Sequence, residues 1–359
     1  MPKTDHHEKP FDHATLTKLL LFQEYLTSWL PVFLNLQGID NINIFDFFCG
    51  PGTDLNGLPG SPLRAIHVIN QYSPKIKPGT QIALFFCDQD AEKIAALDCK
   101  LSNITRPRNL TIDTRQCNFE LSFQQLYEKM RAKGAANFIF LDPTGWALTP
   151  ETFKMITDLE RTDFLLFTPS QFAGRFGEEG FRKYLPGFDK TNIKDTLDIH
   201  RAICAYYRQK FIPQNKKYYL APFSIKKNKN VYGLIFGSKS ITGLHKFLES
   251  CWKINPENGE SNFEFRGDIP STGQGLLIES LGTPKRSRDF EDYVRKIVLS
   301  RKVKTNKELL IESLLKGFLG RHAKAVLYEL KRENKILRVP SMSFKSIYSD
   351  GTLEALEVV

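Results

Sequence analysis

In FDFFCGPGT, residues 45–53, an apolar run passes straight into two glycines separated by a proline. Glycine lacks the Cβ that would collide with a bound molecule. Asp46 followed by Gly50, Pro51 and Gly52 therefore fits a strand end where backbone lies against a ligand, although a tight turn asks for the same residues. Asp88 closes the apolar run FFCD, a place where a carboxylate can accept both hydroxyls of a ribose. Asp90, two residues on, reads better as the cap of a helix starting at Ala91. Asn118, in CNF, follows the next apolar segment and can face the amino group of adenine. Asp142 and Pro143, in FLDPTGW, end a further run. There the proline stiffens the turn, and Gly145 with Trp146 would shape a pocket for a planar substrate. Each signal has an ordinary alternative: a turn, a cap or a loop asparagine. What they share is a position at the ends of four successive strands.

The elements needed to hold them are legible as periodicity. Leu19, Phe22, Leu26, Trp29 and Phe33 recur at steps of three and four, which predicts an N-terminal helix with one buried stripe that Pro31 ends or kinks. Lys18, polar among apolar neighbours in TLTKLL, reads as a surface lysine laying its stem along the protein, with a place at the ligand mouth or on a phosphate as the alternative. INIFDFF reads as a buried strand. GSPLRAIHVINQY reads as a helix capped by Ser61 with Pro62 in its first turn. Apolar strands and amphipathic helices then alternate to about residue 170, which argues for βαβ units around a parallel sheet covered on both faces. YYLAPFSIKKNKNVYGLIFGSK holds two strands with no room for a crossover helix, so they form an antiparallel pair at the sheet's end. The segment from about 176 to 212 is assigned no chemistry.

A second texture begins near residue 285, after the linker-like GTPKRSR. SRDFEDYVRKIVLS, NKELLIESLL and GRHAKAVLYELKREN read as three helices, with KILRV and FKSIYS as short strands, together suggesting a winged helix-turn-helix. The domains expected are thus 1–284 and 285–359. The net charge is +10, and +7 of it falls between Lys285 and Val359, the footprint of a module facing a polyanion; a basic surface kept for solubility is the plain alternative. In the third of these helices Arg321, His322 and Lys324 would point toward a groove while Val326, Leu327 and Leu330 pack inward. Lys335, Arg338 and Lys345 would neutralise phosphates from the wing.

The six cysteines show no metal-ligand spacing and read as reduced, mostly buried thiols. No metal site is expected. No stretch approaches the roughly 20 apolar residues of a membrane span, and the first residues lack a secretory apolar segment, so a cytoplasmic location is expected.

Two chemistries can be set aside. A dinucleotide fingerprint needs G-x-G-x-x-G and an acid about 20 residues later; here the third glycine is missing and Asp88 comes too late. TPSQF, residues 168–172, puts Ser170 where cytosine-C5 methyltransferases carry their cysteine, and an unactivated hydroxyl is too poor a nucleophile for that addition.

DFFCGPG resembles the first motif of class I S-adenosylmethionine-dependent methyltransferases. More widely, TKLLLFQEYLTSWL, DFFCGPGTDLNGLPGSPLRA, FLDPTGW, VYGLIFGSK and the basic C-terminal module resemble the three-Cys-motif partner proteins. These are methyltransferase-like proteins of bacteria and mobile elements that carry a winged helix-turn-helix. The resemblance implies a Rossmann-like class I sheet, parallel strands plus a terminal antiparallel hairpin, and S-adenosylmethionine as cofactor. Asp46, Gly50, Pro51 and Gly52 would lie along the methionine moiety, Asp88 would hold the ribose, Asn118 would contact adenine, and Asp142 with Pro143 would face the methyl group and the acceptor. Amino-methyltransferases carry Pro-Pro and an aromatic after that acid or asparagine. This chain has Asp-Pro-Thr-Gly. The expected function is methylation of nucleic acid, DNA or RNA. The alternative is a non-catalytic nucleic-acid-binding protein working with a three-Cys-motif protein encoded nearby.

Overall fold

The computed structural model describes residues 9–143, 145, 148–168, 183–188, 199–227, 230–260 and 285–359. Helix α1, His13–Asn35, starts at Asp12, whose carboxylate accepts the Thr15 N–H at 2.8 Å. Leu19, Phe22, Leu26 and Trp29 are buried as the stripe predicts, while Leu34 rather than Phe33 is the buried residue of the last turn. The helix does not stop at Pro31. A proline there leaves the Thr27 carbonyl without its helical donor, and the Tyr72 hydroxyl supplies one at 2.9 Å.

The alternating segments form β1 (Asn41–Asp46), α2 (Ser61–Tyr72), β2 (Gln81–Asp88), α3 (Ala91–Leu101), β3 (Leu110–Gln116), α4 (Phe119–Arg131), β4 (Ala135–Leu141), α5 (Pro150–Asp158), β5 (Thr162–Thr168), α6 (Ile199–Phe211), β6 (Tyr219–Lys227) and β7 (Asn230–Ser238). They build one seven-stranded sheet in the order β3-β2-β1-β4-β5-β7-β6. β1 to β5 run parallel, and β7 is antiparallel to both β5 and β6. This is the mostly parallel sheet with a terminal hairpin that the sequence predicts. Phe45, Phe85 and Ile139 share a core with Phe123 of α4 and Phe153 of α5. On the other face Phe22 of α1 packs on Phe138 and Phe140, with ring centroids 5.7 and 4.7 Å away. Strand order reverses at β1, which lies between β2 and β4, and in open α/β sheets such a switch point leaves a crevice at the carboxyl ends of the strands.

By its internal packing the chain divides into Met1–Gly243 and Leu244–Val359. The second unit contains most of α7 (Ile241–Ile254), then α8 (Lys285–Leu299), α9 (Asn306–Leu315), α10 (Gly320–Arg332) and α11 (Phe344–Tyr348). α7 belongs there because the Trp252 indole N–H donates to the Gly317 carbonyl at 3.0 Å and its ring lies 4.0 Å from that of His322. Lys285–Arg288, read as linker, are the first turn of α8. FKSIYS, read as a strand, is α11. Ser343 caps it, and Phe344 stacks on Tyr348 one turn later, at 4.6 Å. Ile336 bridges instead to Val358, and Thr305 to Ala355.

Candidate functional site

Asp46 ends β1 with no exposed surface. Its Oδ1 accepts the Phe48 N–H at 3.1 Å, while Oδ2 receives no well-formed hydrogen bond. Burial raises its pKa to about 7 against the pull of the nearby Ser61 hydroxyl and the Phe48 N–H, and the charges of Asp142 and Asp88 push it the same way as burial. Three carboxylates from β1, β2 and the end of β4 therefore feel one another. Ser61, read as a helix cap, is instead the first residue of α2; Gly60 occupies the cap position.

The glycine bend is tied to β2. Asp88 Oδ2 accepts the Gly50 N–H at 3.1 Å and Oδ1 accepts the Asp90 N–H at 3.0 Å. Gly50 and Gly52 have φ of 61° and 85°, the left-handed region that favours glycine. A Cβ on Gly52 would lie 2.8 Å from Leu97 Cδ1, so helix α3 is one thing that keeps this bend bare. Lys100 of the same helix donates to the Pro51 carbonyl at 2.7 Å, a bond that sequence reasoning missed. Asp90 caps α3 as read. Asn118 is exposed and caps α4, its Oδ1 accepting the Leu121 N–H at 2.9 Å. One lone pair of that oxygen and the Nδ2 group remain for other partners.

Asp142 follows β4 and is ion-paired to Lys18. The surface reading of Lys18 is overturned. Its side chain is only 10% exposed, against 21% for Asp142, and its Nζ stands 4.6 Å from the centre of the Phe167 ring. The signal was its place on the buried stripe, one residue before Leu19. Pro143 is buried. Trp146 and Ser170 lie outside the described residues.

In the second unit Arg321, Lys335 and Lys345 are exposed and Lys324 is half-buried. Arg338 pairs with Glu357 at 3.1 Å. His322 does not join an open basic face. Its Nδ1 accepts the Leu319 N–H at 3.0 Å, and burial, with Arg321 and Arg286 nearby, lowers its pKa to about 3. Tyr328, 51% exposed, and the exposed Lys331 and Arg332 follow Arg321 and Lys324 at helical spacing.

Among the described residues no cluster of His, Cys, Asp or Glu is arranged to hold a metal, and no helix is long and apolar enough to cross a membrane. Cys49, Cys87, Cys204 and Cys251 are buried free thiols. Two surface hollows, of about 380 and 550 Å³, are lined by Gln23, Leu63, Arg64 and His67 and by Tyr127, Met130, Asp158 and Arg161 among others. None of the strand-end carboxylates lines either.

No family model matches the chain, and no curated protein matches it. Among solved structures, a Legionella pneumophila protein is similar at 11% identity, with a TM-score of 0.34, over 63% of this chain and 86% of that one. A 16S rRNA methylase matches at 14% identity and TM-score 0.27, over 64% and 87%. A geranyl diphosphate methyltransferase in complex with its methyl donor matches at 12% and 0.28, over 66% and 98%.

Proposed function

We propose that this chain is an S-adenosylmethionine-dependent methyltransferase acting on nucleic acid, with residues 285–359 engaging the substrate as a winged helix-turn-helix. The observation that carries the reading is the gathering of Asp46, Asp88 and Asp142 at the carboxyl rim of β1, β2 and β4, with the Gly50–Gly52 bend beside them. The residues fit the cofactor. Oδ2 of Asp46 is a buried acceptor with no well-formed hydrogen bond, and the methionine ammonium would donate to it. Each oxygen of Asp88 keeps a lone pair for a ribose hydroxyl, and the Asn118 side chain keeps capacity for adenine. When bound, this cofactor supplies an electrophilic methyl group on a sulfonium. The protein's part is alignment of donor and acceptor, and removal of a proton where the acceptor requires it; Asp142 and Pro143 stand where the acceptor would lie.

In the second unit, three helices are followed by bridges joining Ile336 to Val358 and Thr305 to Ala355. That order supports the winged-helix reading. Arg321, Lys324, Lys335, Arg338 and Lys345 would contact phosphates. Calorimetry with S-adenosylmethionine is expected to register binding that Asp46→Ala or Asp88→Ala abolishes; no heat from the wild type ends the proposal. A second reading, a cofactor-sensing and non-catalytic partner of a three-Cys-motif protein, is favoured by the ion pair that occupies Asp142. Labelled methyl transfer to DNA and RNA, compared with Asp142→Ala, separates the two.

A further inference from the structure

Lys18 is the least expected charge at the rim. Only 8% of the residue is exposed, its ammonium pairs with Asp142 Oδ2, and the face of Phe167, next to the end of β5, backs it at 4.6 Å. Paired with Asp142, this ammonium carries no net charge to the site and discriminates through the hydrogen bond it can donate. An amine nitrogen has a single lone pair, and a bond from Lys18 would tie up the electrons that must attack the methyl group, whereas a hydroxyl oxygen has two. A hydroxyl must also lose a proton, its oxygen turns more negative, and an ammonium aimed at it stabilises that charge. The motif after Asp142, Asp-Pro-Thr-Gly, agrees, for Thr144 and Gly145 stand where amino-methyltransferases carry the second proline and the aromatic.

We infer that the acceptor is a hydroxyl and, within the nucleic-acid methyltransferase reading on which this rests, the ribose 2′-hydroxyl of RNA, the hydroxyl that distinguishes RNA from DNA. Lys18 donates a hydrogen bond to the acceptor oxygen while Asp142, held through Oδ2, takes the proton on Oδ1. The O–H bond breaks toward the carboxylate and an oxygen lone pair forms the new O–C bond. The S–C bond breaks with its electrons passing to sulfur, leaving a neutral thioether. Asp142 then returns its proton to water. Charge balances: sulfonium and carboxylate are both neutralised.

The test uses the full-length protein, S-adenosylmethionine labelled in its methyl group, and matched RNA and DNA. Label is expected in RNA alone, in dinucleotides that resist alkali because a methylated 2′-oxygen cannot attack the neighbouring phosphate. Lys18→Met is expected to lower turnover by about 100-fold or more, the scale of a lost acid–base contribution, with cofactor binding by calorimetry retained. Lys18→Arg is expected to restore part of the rate, and Asp142→Asn, which keeps the shape of the site, to repeat the loss. A readout independent of turnover is the preference for a ribo- over a deoxyribo-oligonucleotide in equilibrium binding, present in the wild type and erased by Lys18→Met. Label on a base or in DNA, or Lys18→Met turnover at the wild-type level, overturns the inference while the methyltransferase reading stands. A wild type that fails to bind S-adenosylmethionine overturns both.

Discussion

Asp46 carries a charge its surroundings disfavour. Its pKa in the folded chain, about 7, lies above the ordinary aspartate value of roughly 4, so between those limits the folded state holds a proton that the unfolded state releases. Stability from this residue is complete below about pH 4 and is lost as pH rises through about 7. Asp163, buried beneath α1 and accepting the Tyr25 hydroxyl at 2.6 Å, is raised by burial to about 6 and contributes with the same sign. Asp46→Asn is therefore expected to be more stable than the wild type at pH 8, by a few kcal/mol, with a shallower pH slope in denaturant melts. It is also expected to lose cofactor binding. In the wild type, binding of a cationic ligand should tighten as pH rises toward 7, since it selects the ionised carboxylate. Gly52→Ala meets both a left-handed backbone and Leu97, and is expected to destabilise by about 1–3 kcal/mol. Leu97 is itself buried, so the check is a double-mutant cycle: in a Leu97→Ala background the added cost of Gly52→Ala should shrink, because the clash is gone.

At the scale of elements, the passage of α1 through Pro31 depends on α2. Tyr72→Phe is expected to cost about 1–2 kcal/mol, because the Thr27 carbonyl loses its donor. In a Pro31→Ala background the restored backbone N–H serves that carbonyl, and the cost of Tyr72→Phe should largely vanish; an additive double-mutant cycle contradicts this account. The strands and helices of the sheet were readable because apolar runs and 3.6-residue periodicity are local properties. FKSIYS was misread for the complementary reason. Its apolar and aromatic residues suit a strand, but the Ser343 cap and the Phe344–Tyr348 stack close a helical turn, and the partner that Ile336 bridges lies at the chain's last residues.

At the scale of the whole molecule, the two units should respond to pH in opposite directions. Burial lowers His245 to about 4 and His322 to about 3, so the second unit loses stability as pH falls below about 6.5, where the unfolded histidines take up protons that the folded ones refuse. In the first unit Asp46 and Asp163 act with the opposite sign, their contribution falling as pH rises, while the raised Glu249 and Glu291 of the second unit and the lowered Asp158 of the first offset part of the contrast. Denaturant melts at pH 5 and pH 8, followed through tryptophan fluorescence of a Trp29→Phe/Trp146→Phe variant, which keeps Trp252, and of a Trp252→Phe variant, which keeps the two tryptophans of the first unit, should show the order of unfolding change. A fragment starting at Leu244 is expected to melt at higher temperature than one starting at Lys285, which lacks Trp252 and the packing it makes on Gly317 and His322. On the proposed nucleic-acid reading, replacing Arg321 and Lys324 by alanine should weaken nucleic-acid affinity and reduce the slope of log affinity against log salt by about 1 for each phosphate no longer neutralised.

The sequence alone determined the alternation of strand and helix, the terminal hairpin, and the strand-end positions of Asp46, Asp88 and Asp142, because burial and turn chemistry write themselves into neighbouring residues. Only the tertiary structure decided that Leu97 abuts the glycine bend, that Lys18 pairs with Asp142 and that His322 turns onto Trp252. Each of those pairings joins residues from separate elements, and no local pattern records which distant side chain will arrive opposite a given one.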